Sequence, residues 1–137
     1  MNRYYKILYE HKKKFIYIPL IFYWIVLFVA TSLPSKALPK MAISDKFEHL
    51  FAYMILGAFL YTAFKFQNKV LWIKKYVFLS AFFAIALYGL FDELHQILIP
   101  GRYCEFWDWA ADIIGGNIGI FFSYILIFKD KLKQDNG

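Results

Sequence analysis

Apolar stretches long enough to cross a lipid bilayer recur along the chain. The first, Phe15 to Ser32, holds 18 residues without a charged side chain, and a membrane-spanning helix needs about 20 apolar residues. The composition agrees, because 61% of the residues are hydrophobic, whereas a soluble domain is about half apolar. We therefore predict an all-α integral membrane bundle of four transmembrane helices, at about residues 15–32, 46–64, 76–98 and 107–128.

The 137 residues have room for one domain, residues 1–137. The basic residues predict its orientation. Twelve of the 16 Lys and Arg residues lie in the N-terminal segment, in the loop between the second and third helices and in the C-terminal tail. Cytoplasmic segments carry such an excess, so we predict cytoplasmic N- and C-termini. No nucleic-acid-binding motif accompanies the net charge of +6, and the expected partner is the lipid bilayer, not a nucleic acid.

Charged and polar side chains are concentrated within residues 88–119, which join the last two apolar stretches. Such side chains are costly beside lipid and usually have a function. The apolar run over residues 76–91 gives only about 24 Å of helix, less than the hydrocarbon core of about 30 Å. We therefore expect the third helix to carry Asp92 and Glu93 into the membrane margin and to stop at Pro100.

Asp45, His49 and Tyr53 are spaced four residues apart at the start of the second helix. This spacing places them along one side of a helix. A carboxylate beside an imidazole can orient it as a base or a metal ligand. The same pattern is typical of a capped helix start with interfacial side chains, in which Ser44 or Asp45 is the N-cap. The sequence leaves both interpretations open.

Seven of the ten acidic residues fall at the external ends of the second, third and fourth helices. Because these three ends reach the same membrane face, we predict one polar pocket on the extracytoplasmic side of the cell membrane. Its candidate catalytic residues are His49, Asp92, Glu93 and Asp108. Its candidate binding residues are Asp45, Tyr53, His95, Gln96, Arg102 and Asp112.

Arg102 is the only basic residue of the third loop. Two roles are open for it. It either forms a salt bridge with an acidic residue of the pocket, or it grips a phosphate or carboxylate with its planar fork. The acidic partners considered are Asp92, Asp108 and Asp112.

Gly115 and Gly119 share a helical stripe with two of the acidic residues and would let a neighbouring helix approach closely. Oxygen ligands with one or two His residues would suit Mg²⁺, Mn²⁺ or Zn²⁺. Their spacing matches no established metal motif, so the sequence leaves a metal or other cofactor open.

Two motifs resemble those of VanZ-like membrane proteins. One is DELHQ followed by PGR, an Asp six residues after the Arg, AD and GxxxG; the other is DKxxHxxxY, from Asp45 to Tyr53. The resemblance spans roughly residues 28–125. It implies a small multi-pass membrane protein of a family in which some members reduce susceptibility to lipoglycopeptide antibiotics.

Two classes of function follow from the motifs and the pocket together. In the first, the protein acts on the cell envelope without catalysis, by binding or masking a lipid-linked cell-wall precursor or a lipoglycopeptide. In the second, it is a membrane-embedded hydrolase or transferase that acts on a lipid-linked phosphate, with or without a metal. Asp, Glu and His would then serve as bases or metal ligands, and Arg102 would hold the anion.

Overall fold

The computed structural model describes the backbone of residues 3–37 and 44–135 and the side chains of residues 6–37 and 44–127. A π-helical turn, Lys13–Tyr17, leads from α1 into α2, and a 3-10 turn, Ser35–Ala37, follows α2. The α-helices are α1 Arg3–Glu10, α2 Ile18–Thr31, α3 Asp45–Phe66, α4 Leu71–Lys75, α5 Val77–Gln96 and α6 Phe106–Asp135. These described residues contain no strand.

Four of these segments are long and apolar enough to cross a membrane. They are Lys13–Thr31, Asp45–Phe66, Val77–Gln96 and Phe106–Ile127. The prediction of an all-α membrane bundle with four spanning helices is therefore confirmed. The third helix was predicted to end at residue 98, but α5 ends at Gln96. The chain forms a turn there, in which the amide of Leu98 donates to the carbonyl of His95.

The four spanning segments pack side by side with α3 at the centre. α3 and α6 run parallel, since the first turns of one contact the first turns of the other. α5 runs antiparallel to both, and the indole of Trp109 at the start of α6 donates to the carbonyl of Ala86 in α5. α2 lies against α3, where the hydroxyl of Tyr23 donates to the carbonyl of Ala52.

α3 and α6 meet through glycine. A Cβ atom added to Gly115 would overlap the carbonyl oxygen of Leu50, and one added to Gly119 would overlap that of Met54. The predicted role of these two glycines in close helix packing is therefore confirmed. Gly57 of α3 makes a similar approach to the backbone of α6.

The turn before α6 depends on Gly101. Its φ is +78°, a conformation that other residues rarely adopt. A Cβ atom there would also overlap the hydroxyl of Ser35. This turn directs Arg102 back towards the end of α2, where it contacts the carbonyl of Ala30.

The outer surface of the bundle is apolar, as expected for a protein whose solvent is lipid. Large side chains there are more than half exposed, among them Phe22, Ile25, Leu87, Phe121 and Phe122. Three aromatic residues just before or within the first turn of α6 are 65–77% exposed: Tyr103, Phe106 and Trp107. Exposed aromatic residues at a helix end are typical of the lipid–water boundary, whereas the indole of Trp109 donates to the carbonyl of Ala86 in α5.

Candidate functional site

Three helix ends that are far apart in sequence meet at one end of the bundle. The start of α3, the end of α5, the start of α6 and residues 97–105 form this charged end. In it α3 supplies Lys46 and His49, α5 supplies Glu93 and α6 supplies Asp112. α3 and α6 are parallel and α5 runs antiparallel to both, so the end of α5 lies beside the starts of the other two helices.

Four carboxylates of the charged end are buried. Asp92 and Glu93 are each 1% exposed, Asp108 is 3% exposed and Asp112 is 0% exposed. His49, at 7%, is the buried basic group beside them. Buried charges are expensive unless they are paired or bound to a cation, so this arrangement is the most unusual feature of the described residues.

His49 and Asp112 form the closest buried contact of the charged end. The Nδ1 atom of His49 lies 2.9 Å from Oδ1 of Asp112 and 3.9 Å from Oε1 of Glu93. When Asp112 is ionised its carboxylate can only accept in this hydrogen bond, and the proton then lies on Nδ1. The Nε2 atom of His49 is then free to accept a proton or bind a ligand when the ring is neutral.

Asp92 and Glu93 accept hydrogen bonds from donors of their own. The hydroxyl of Tyr53 donates to Oδ2 of Asp92 over 3.3 Å. The amide of Glu105 donates to Oε2 of Glu93 over 2.8 Å, and the side chain of Gln96 approaches Oε1 of Glu93 at 3.5 Å. These neutral donors orient the carboxylates without neutralising their charge.

Arg102 contacts none of the three acidic residues that its position in the sequence suggested as partners. Its three nitrogens donate to the carbonyls of Ala30 and Leu33 and to Oε1 of Gln96, over 3.1–3.3 Å. Within the described residues, it forms no salt bridge with Asp92, Asp108 or Asp112. The salt-bridge alternative is therefore wrong, and Arg102 instead ties the third loop to the end of α2.

Asp108 pairs with a residue that the sequence analysis did not single out. The ammonium of Lys46 lies 3.0 Å from Oδ1 of Asp108 and 2.8 Å from Oε2 of Glu105. Lys46 follows directly after Asp45 in the DKxxHxxxY motif. The basic residue in that motif was the signal that could have identified it.

Two cavities open at the charged end, and both are lined by Asp45 and Arg102. One, of about 150 Å³, lies between α2, α3 and α5 and is lined by Glu48, His49, Tyr53 and Asp92, among others. The other, of about 230 Å³, lies beside the third loop and is lined by Gln96 and Glu105, among others. Because they share two lining residues, the cavities are adjacent, and we call them together the polar cavity.

The predicted site residues fall into three groups around the polar cavity. Lining it are Asp45, His49, Tyr53, Asp92, Gln96 and Arg102. Behind His49, away from the lining, lie Glu93, Asp108 and Asp112. His95 lines neither part, because its ring stacks on Phe28 with centroids 5.1 Å apart.

Thr31 and Glu48 also line the polar cavity and were not among the predicted site residues. Glu48 lies one position before His49 within the DKxxHxxxY motif, and this place in the motif was a usable signal. Thr31 is on α2, outside both motifs, and nothing in the sequence connected it with the other helices.

Two groups of side chains are close enough to share a cation. In each, one ligand atom per residue lies within 4.8 Å of the others. The first is buried throughout and consists of His49, Glu93 and Asp112; the second consists of Asp45, His49 and Asp108. Both contain His49, so the imidazole is common to every such arrangement among the described residues.

Comparison with known proteins supports the motif resemblance. The family model described as VanZ/LLP1 matches residues 5–128. No curated protein and no solved structure matches the chain. The family match covers well over half of the chain and includes the whole of the charged end. The protein is therefore a member of the VanZ/LLP1 family.

Proposed function

We propose that the polar cavity binds the head group of lipid-linked envelope material at the outer leaflet, and that this binding or masking lowers susceptibility to lipoglycopeptide antibiotics. The observation that carries the proposal is the cavity itself. Its lining includes Arg102 beside the loop and the buried Asp92, in a bundle whose outer surface is apolar. A ligand with a lipid tail and a polar head suits both surfaces.

The charges of the cavity suggest which head groups it accepts. Asp45, Glu48 and Asp92 can accept hydrogen bonds from hydroxyl or amino groups, as in a sugar or an amine. Arg102 has five N–H donors, of which three are engaged. The remaining two can bind one phosphate oxygen or carboxylate at the mouth. A phosphate attached to a sugar or an amine offers both kinds of group.

The orientation of the cavity is part of the proposal and has its own test. The excess of Lys and Arg in the N-terminal segment, the middle loop and the tail supports a cytoplasmic position for the opposite end of the bundle. The single thiol, Cys104, is exposed in the loop beside Arg102. A membrane-impermeant maleimide should therefore label Cys104 in intact cells.

The control for this experiment is a Cys104→Ala chain that carries a new cysteine at Lys69, in the loop between α3 and α4. This position should be labelled only after the membrane has been permeabilised. Labelling of position 69 but not of Cys104 in intact cells would show that the cavity faces the cytoplasm.

The binding role is tested by alanine substitution in a susceptible bacterial host that expresses the protein. We expect Asp92→Ala and Arg102→Ala each to abolish the effect on the minimal inhibitory concentration of a lipoglycopeptide. Membrane insertion should persist, because it depends on the apolar segments. Insertion and protein amount are measured by immunoblotting of the membrane fraction.

Lys36→Ala is the matched control, since Lys36 is an exposed basic residue in the loop that leads to the same end of the bundle. It should keep the full effect. If the Asp92 and Arg102 variants are present in normal amounts and also keep it, the polar cavity has no part in susceptibility.

A second candidate function, a hydrolase or transferase acting on a lipid-linked phosphate, is favoured by the contact of 2.9 Å between His49 and Asp112. A carboxylate that orients an imidazole is the arrangement of a general base. Purified protein should then release phosphate from a lipid-linked pyrophosphate, and His49→Gln should reduce the rate by about 100-fold or more. A protein that only binds its ligand should release no phosphate. Its effect on susceptibility should also survive the Asp92→Asn substitution better than the effect of an enzyme would.

A further inference from the structure

We propose that His49, Glu93 and Asp112 bind a divalent transition-metal cation behind the polar cavity. The three residues come from α3, α5 and α6, and one ligand atom of each lies within 4.8 Å of the others. The assignment does not depend on the proposed function, because a binding protein and an enzyme could both use such a cation.

A bound cation would balance the negative charge that the carboxylates of the charged end carry when ionised. Asp92, Glu93 and Asp112 are three carboxylates that are at most 1% exposed. Among the described residues, His49 is the only basic group that forms an ion pair with any of them. The ammonium of Lys46 is engaged by Glu105 and Asp108, and Arg102 donates to two carbonyls and an amide. A divalent cation bound beside these carboxylates would offset their remaining negative charge.

An unused ligand atom lies at the same place. Oδ2 of Asp112 is buried and has no hydrogen-bond partner within the described residues. It lies against α5, where a Cβ atom added to Gly89 would be 3.0 Å away. Glu93 is one helical turn further along α5. A buried carboxylate oxygen without a donor is costly, and coordination of a cation would satisfy it.

The ligand chemistry suits a transition metal. One imidazole nitrogen and two carboxylates are ligands for Zn²⁺ and Mn²⁺, with bonds of about 2.0–2.2 Å for Zn²⁺. The second oxygen of Glu93 accepts the amide of Glu105 over 2.8 Å, and such outer hydrogen bonds commonly orient metal ligands. On binding, Nδ1 of His49 would lose its proton to solvent and coordinate in its place.

The alternative set, Asp45, His49 and Asp108, is less suitable. Asp45 is exposed, so water competes for it. Asp108 already pairs with Lys46 at 3.0 Å, and a cation would have to displace that ammonium. The geometry therefore favours the buried set.

The test uses the full-length protein in detergent, without any functional assay. Protein stripped with EDTA and then dialysed against Zn²⁺ or Mn²⁺ should retain about one equivalent per chain by elemental analysis. Its melting temperature should rise on metal addition and fall again on chelation, because a ligand that binds only the folded state stabilises it. Mg²⁺ serves as the comparison and should raise the melting temperature least.

Glu93→Gln and Asp112→Asn keep the shape of the ligands but remove their charge. Both variants should lose at least about 10-fold in metal affinity, and their melting temperatures should no longer respond to chelation. Glu48→Gln is the matched control, since Glu48 is a neighbouring carboxylate outside the proposed ligand set, and it should bind metal as the original chain does.

Two results would overturn the proposal. One is wild-type protein that retains no Zn²⁺ or Mn²⁺ and melts at the same temperature with and without chelator. The other is equal retention by the original chain and by both ligand variants, which would mark the metal as adventitious. The wild-type measurements decide the matter even if a variant fails to fold.

Discussion

The two parallel helices α3 and α6 meet along two stretches with opposite chemistry. In the polar stretch, Lys46 and His49 reach across to Asp108 and Asp112 through long side chains. In the glycine stretch, directly below, the backbones of Gly115 and Leu50 touch with no side chain between them. The glycine stretch sets the distance and register between the helices. The polar stretch uses that register to bring His49 within 2.9 Å of Asp112.

The comparison predicts that the glycine stretch contributes more to stability than the polar stretch. Backbone contact cannot adjust to an added side chain without separating the helices. Ion pairs at the surface of the charged end can rearrange, because their ends reach water. The following substitutions test this ranking, in order of decreasing expected effect.

Gly115→Leu should have the largest effect. The new side chain would occupy the place of the Leu50 carbonyl, so the loss should exceed the about 1–3 kcal/mol of ordinary overpacking. We expect little folded protein by size-exclusion chromatography in detergent. Ile114→Leu is the control. Ile114 is the neighbouring residue, its side chain is 54% exposed, and this position should tolerate the change. Normal yield and melting temperature for Gly115→Leu would show that the close approach is not needed.

Lys46→Met should have a smaller effect. It leaves Asp108, whose side chain is 4% exposed, without the ammonium 3.0 Å away, while the apolar part of the lysine is kept. We expect a fall of a few degrees in melting temperature, less than for Gly115→Leu. Lys46→Arg retains the charge and should restore most of the loss. A melting temperature for Lys46→Met equal to that of the original chain would mean that Asp108 needs no counter-charge.

Glu105→Gln should have the smallest effect. The pair of Glu105 with Lys46 is short, at 2.8 Å, but both side chains are nearly half exposed. Exposed ion pairs contribute little to stability, and in this variant Lys46 can still pair with Asp108. We expect no measurable change in melting temperature in 0.15 M salt. A loss as large as that of Lys46→Met would place the stabilising contact at Glu105 and not at the buried Asp108.

The sequence predicted the spanning helices well, because the property that defines them is local. The uncharged run from Phe15 to Ser32 became the first span, and the spacing of Gly115 and Gly119 identified a helix contact. The grouping of the acidic residues at one end of the bundle also followed from the sequence, because successive spanning helices cross the membrane in opposite directions. The orientation of the bundle and the roles of the site residues remain predictions.

The partners of individual side chains were predicted poorly. A salt bridge with an acidic residue was one of the two roles left open for Arg102, yet it donates to the carbonyls of Ala30 and Leu33. Every residue carries a carbonyl, so such a partner leaves no mark in the sequence. Lys46 was noted only as part of the DKxxHxxxY motif, because its contact with Asp108, 62 positions away, depends on how two helices are placed.

The sequence by itself determined that this chain is a helical membrane protein and which residues could be charged at one end, because hydropathy and helical period are properties of neighbouring residues. Only the tertiary structure decided that His49 pairs with Asp112 and that Lys46 pairs with Asp108. That choice follows from the register of α3 on α6. The register is fixed where two backbones touch, and a contact between backbones can be read only after the helices have packed.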